Sequence, residues 1–134
     1  MMIHIRPAVI CVVTMMSLLS GCTDQGIDME SPPVVISFSQ QVQPIFNGSC
    51  TGCHGVEGDL SLAAGASYGQ LVNITAQSSC TQLVRVLPLK ADSSVLYLKL
   101  SGSSCGSRMP QGGSLSQTDI DRIRDWINEG AANN

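Results

Sequence analysis

The chain has 134 residues, of which 43% are hydrophobic, 13% charged and only 4% aromatic, with a formal net charge of −3. That length allows one domain once a leader is set aside, and the acidic balance excludes nucleic acid as a partner, because neutralising phosphates needs a positive surface. The aromatic supply beyond the leader is Phe38, Phe46, Tyr68, Tyr97 and Trp126, thin for a domain near the size at which cores become marginal; a large buried apolar group would make up the shortfall.

His4 and Arg6 precede an apolar run from Ala8 to Leu19, too short to span a bilayer and flanked as an export signal is, so residues 1–21 are read as a leader and not as fold. The run ends in Leu19-Ser20-Gly21-Cys22, which resembles the bacterial lipoprotein processing box, in which the cysteine is acylated and becomes the mature N-terminus. An ordinary signal peptide with an incidental cysteine is the alternative. On either reading the protein leaves the cytoplasm; on the first it is periplasmic and held to a membrane by lipid on Cys22. Thr23 stands where an aspartate would resemble an inner-membrane retention signal, so the outer membrane is the expected one. Residues 22–36 are polar and acidic, stiffened by Ser31-Pro32-Pro33, and read as a tether to a domain over 37–134.

The first predicted helix starts near Ser39 and carries Val42, Ile45 and Phe46 on one side. Pro44 is comfortable only in a first turn, so the helix either begins later or bends there. The helix delivers the chain to Cys50-Thr51-Gly52-Cys53-His54. Beyond a Gly-rich loop at residues 55–58, Leu60 and Leu62 alternate as an extended segment lying on something apolar. Residues 63–72 carry a weak helical pattern, with a packed loop as the alternative because of Gly65 and Gly69. Leu83 to Leu87, stopped by Pro88, reads as an extended connector. Val95 to Leu100 alternates like a strand, yet no second strand is available to pair with it, so a helix is expected. The last helix is capped by Ser116, shows an apolar stripe of Ile120, Ile123, Trp126 and Ile127, and ends at Gly130; Asp121, Asp125 and Glu129 mark its solvated face.

The Cys50-x-x-Cys53-His54 spacing is the one that covalent haem attachment requires: two thiols able to form thioethers, and an adjacent imidazole able to ligate the iron. A thioredoxin-like pair would sit in a βαβ pattern, and a zinc site would need Cys80 and Cys105 as further ligands. If Cys22 carries lipid and Cys50 with Cys53 carries haem c, then Cys80 and Cys105 remain as a disulfide pair in an oxidising compartment, with two free thiols as the alternative. For the second axial position the candidates are few. Beyond the leader His54 is the single histidine, and the methionines are Met29, in the tether, and Met109, in Arg108-Met109-Pro110. Met109 lies on a loop held between elements and is the expected ligand, a surface or packing methionine being the bland alternative, with Lys90 and Lys99 able to substitute at high pH.

Taken together, Val42-x-Pro44-Ile45, Cys50-Thr51-Gly52-Cys53-His54-Gly55, Asp92-Ser93-Ser94-x-Leu96, Met109-Pro110 and the ending from Leu115-Ser116 to Trp126-Ile127-x-x-Gly130-Ala131 resemble the class I cytochrome c domain, and within it the single-haem domains of exported bacterial proteins. The resemblance runs from Phe38 through Ala131. It implies an all-α domain whose first and last helices cross, bringing Phe46 near Trp126, with one haem c between His54 and Met109. It also implies an electron carrier and not an enzyme, whose partners are redox proteins of the cell envelope; the sequence leaves its oligomeric state open, with a monomer expected. The rivals are a haem sensor or peroxidase with an open distal position, and a structural zinc module. No proline follows the motif before Pro88, so the carbonyl that orients His54 in many relatives has no counterpart legible here. Arg108 and Lys90 are candidate partners of a haem propionate, with surface solvation the alternative for each.

Overall fold

The computed structural model describes residues 35–55, 59–102 and 105–134. The leader, Cys22, Met29 and the tether as far as residue 34 lie outside the described residues, as does the loop at 56–58. The fold is all-α. Four α-helices, α1 (Gln43–Ser49), α2 (Ser67–Leu71), α3 (Val95–Ser101) and α4 (Gln117–Asn128), are joined by turns. Among the described residues the only β pairing is a set of isolated bridges, Val72 with Val86, Thr75 with Val84 and Val84 with Ser94. These bridges account for the apolar connector. Residues 84–86 are held extended between the segment after α2 and the start of α3, and Val86 is fully buried.

The first helical segment begins earlier than Ser39. A π-helical turn, Phe38–Val42, precedes α1, and its cap is Ser37, whose hydroxyl accepts from the Gln40 N–H. The wide register shows in the Val42 N–H bond to the Ser37 carbonyl and the Gln43 bond to Phe38. Pro44 then falls in the first turn of α1, where its missing N–H is tolerated, so the register changes just ahead of the proline. Asn134 satisfies other orphan donors at this helix start: its backbone oxygen accepts from Ser39 N–H at 2.8 Å and its side-chain oxygen from Phe38 N–H at 2.7 Å. Ile36 is drawn in as well, its N–H bonded to Glu129 at 2.7 Å.

Helix α4 is the structural spine. Ser116 caps it by accepting from Asp119 N–H, and Ile120, Ile123, Trp126 and Ile127 are all buried. It ends in a Schellman arrangement: Gly130, at φ 106°, donates to Ile127, and Ala131 donates to Trp126. The acidic face is solvated and paired within the helix, Arg124 with Asp121 and Asp125, Arg122 with Asp119. Helix α4 packs on both the Phe38–Val42 turn and α3.

Four of the five aromatics are gathered at one point. Phe38 is the hub, with its ring centroid 5.0 Å from Trp126, 5.3 Å from Tyr68 and 6.2 Å from Phe46. Phe46 shares the buried cluster with Trp126, but the ring laid on the indole is that of Phe38. The π turn ahead of α1 explains the shift, since it adds an apolar position one turn before Val42. The segment at 63–72 is helical only over α2, and Leu62 is buried in the main core beside it, its carbonyl accepting from Gln43. No helix among the described residues is long and apolar enough to cross a membrane.

Candidate functional site

The motif turn is built directly on the end of α1. Cys50 N–H and Thr51 N–H both donate to the Phe46 carbonyl, at 2.8 and 3.1 Å, and the Thr51 hydroxyl reaches back to Asn47. The chain then winds around the Cys50 carbonyl, which accepts from Cys53 N–H at 3.1 Å and from His54 N–H at 2.8 Å. Cys50, Cys53 and His54 therefore share one turn. The His54 carbonyl accepts from Leu62 N–H at 2.7 Å, so the turn is pinned on its far side to a buried core residue. Gly55 closes it: a Cβ at this position would stand 3.0 Å from the Thr51 carbonyl oxygen, too close for a side chain to be accepted without a shift.

The two thiols differ in setting. Cys50 is half-buried against the main core, and that burial pushes its thiol up from the ordinary value; Cys53 is exposed. Both are unpaired. Among the described residues no hydrogen bond forms to the His54 ring, which is half-buried.

Cys80 and Cys105 are disulfide-bonded to one another, with Cα atoms 5.5 Å apart, and together with Ala76 and Val95 they form a second small buried cluster. A four-thiolate zinc site using Cys50, Cys53, Cys80 and Cys105 is thereby excluded, and among the described residues no group of three or more His, Cys, Asp or Glu side chains could hold a metal ion. Among the described residues there is no βαβ frame of the kind in which a thioredoxin-like pair sits.

Met109 comes from a separate segment, the loop between α3 and α4. It is half-buried, and its N–H donates to the Lys99 carbonyl at 2.9 Å. It shares no hydrogen bond with the motif turn among the described residues. The two segments are connected through packing: the motif turn extends α1, α1 continues from the Phe38–Val42 turn, that turn packs on α4, and α4 packs on α3. A hollow of about 470 Å³ lies between Gln41, Pro44 and Ile45 on one side and Asp119 and Arg122 on the other; none of Cys50, Cys53, His54 and Met109 lines it.

Arg85 is a residue that sequence reasoning missed. Its guanidinium donates to the carbonyls of Gln70 and Asp59, each at 2.9 Å, and it is 9% exposed, so it ties the segment after the motif to α2. A lone arginine inside Leu83–Leu87 was the available signal. Lys90 is exposed, and Arg108 donates through Nε to the Leu100 carbonyl at 3.3 Å.

No family model and no curated protein matches this chain. Among solved structures it is similar to a part of Kuenenia stuttgartiensis hydrazine synthase, with a TM-score of 0.54 and 22% identity over 72% of this chain. The match spans 16% of that protein's chain, and the likeness is one of fold.

Proposed function

We propose that this protein is an electron carrier of the bacterial cell envelope that holds one covalent haem c, with Cys50 and Cys53 as its attachment points and His54 and Met109 as its axial ligands. The observation that carries the reading is the motif turn: the two unpaired thiols among the described residues and an imidazole sit on one turn wound around a single carbonyl, while the other two cysteines are bonded to each other. That donor set fits a c-type haem. The fold likeness to a segment of hydrazine synthase agrees with a small helical domain, and no part of that protein's activity is carried over, because the shared segment is a small fraction of it.

When bound, the haem supplies a one-electron iron couple. The chain's own residues fix its setting. Cys50, packed against the core, and Cys53, exposed, would anchor it, and His54 would donate from the turn pinned by Leu62. Met109 would donate from the loop on α3, its neutral soft thioether favouring the reduced state. With His54 and Met109 both held as ligands, the protein would pass electrons and transform no substrate. Lipid on Cys22 holds it to a membrane, and its partners are redox proteins of the envelope.

The test is a visible spectrum and intact mass of the protein expressed with haem-maturation machinery. One covalent haem per chain and a spectrum with both axial positions filled are expected. Haem that extracts into acid acetone overturns the attachment, and ready binding of carbon monoxide by the reduced wild-type protein replaces the carrier with an open-site sensor or peroxidase.

A further inference from the structure

The last turn of α3 is completed by the loop that carries Met109. Gly102, at φ 96°, ends the helix and donates to the Leu98 carbonyl. The next two carbonyls, which a helix end leaves without intrahelical donors, are taken up from the loop: Met109 N–H donates to Lys99 at 2.9 Å and Arg108 Nε to Leu100 at 3.3 Å. Lys99 also acts in the reverse sense, its Nζ donating to the carbonyls of Cys105 at 2.9 Å and Ser107 at 3.3 Å. One residue thus grips the loop at positions 105, 107 and 109. The fit around the ammonium is close, because a Cβ on Gly106, between the two accepting carbonyls, would lie 3.3 Å from Nζ. A cation there also answers the negative end of the α3 dipole. The disulfide fixes only the near end of the segment, at Cys105.

We propose that Lys99 is the positioning residue of the methionine ligand: by bracing residues 105–107 with its ammonium and Met109 with its carbonyl, it keeps the thioether from leaving the iron. The proposal rests on the reading of Met109 as an axial ligand. Lys99 touches neither haem nor substrate, and its effect is on how often the loop opens.

The experiment is carbon monoxide binding to the reduced holoprotein, together with the far-red methionine-to-ferric-iron band. Lys99→Met keeps the aliphatic stem and removes the donors, and should raise the carbon monoxide association rate roughly tenfold or more, the effect of losing the two ammonium hydrogen bonds to Cys105 and Ser107 from the closed state. Lys99→Arg should restore most of the wild-type rate, while Arg124→Gln, which removes a charge on the solvated face of α4, should leave it unchanged. If Lys99→Met does not fold, Lys99→Gln, which has a shorter reach and no charge, is measured instead, with a rise of severalfold expected. A variant of normal haem content whose melting temperature falls while its carbon monoxide rate stays within twofold of wild type overturns the positioning role and leaves the Met109 assignment standing. A wild-type protein without the far-red band overturns both.

Discussion

At the scale of single residues, attachment and ligation fall to different side chains in the proposed reading. Cys50 and Cys53 bracket a turn whose defining hydrogen bonds are main-chain, so the turn persists when either thiol is removed. Cys50→Ala and Cys53→Ala should each leave one thioether, detected as haem that is still covalent by mass but shifted in the visible spectrum; the double variant should lose covalent haem. Met109→Ala should keep the haem, lose the far-red band, bind carbon monoxide when reduced and show a lower potential, because a neutral soft donor that favours ferrous iron is gone. Arg85 makes a different prediction. Its guanidinium is nearly buried and bonded to two carbonyls, so Arg85→Met should destabilise the fold by about 1 to 3 kcal/mol through acceptors left without donors, measured by denaturant unfolding.

At the scale of elements, α4 carries the largest share of the core, and its two ends rest on different physics. Ser116 supplies a side-chain acceptor to an exposed N-terminus, so Ser116→Ala should cost about 1 kcal/mol. At the other end the Schellman turn needs the left-handed conformation of Gly130, and Gly130→Ala should cost about 1 kcal/mol through backbone strain alone. Trp126 is fully buried, packed on Phe38, and its Nε1 donates to the Ala132 carbonyl at 2.9 Å. Trp126→Ala should cost about 3 to 5 kcal/mol, a large part of the stability of a domain this size. Thermal unfolding of the three variants should therefore rank Trp126→Ala well below the two helix-end changes.

At the scale of the whole molecule, the pieces that would hold the iron come from opposite ends of the domain and are joined by two kinds of tie. The packed route runs from the motif turn through α1 and the Phe38–Val42 turn to α4 and α3. The covalent tie is the Cys80–Cys105 disulfide, which links the connector region to the loop carrying Met109. Replacing both cysteines with alanine should lower stability by about 2 to 5 kcal/mol in non-reducing denaturation, and reductant should have the same effect on the wild type and none on the variant.

The sequence alone determined the parts whose cause is local. The CxxCH spacing fixes which residues share a turn, Ser116 with its apolar stripe fixes α4, and the lack of any partner strand fixes Val95–Ser101 as helix. What only the tertiary structure decided is whatever depends on a distant partner. The early start at Phe38 depends on acceptors supplied by Asn134, nearly a hundred residues away. The choice of Phe38 as the aromatic hub follows from that added turn. The burial of Arg85 depends on carbonyls of Gln70 and Asp59, and the grip of Lys99 on the methionine loop depends on where α3 ends. Periodicity reports which face of an element is apolar; it carries no information on which remote carbonyl or ring that face will meet.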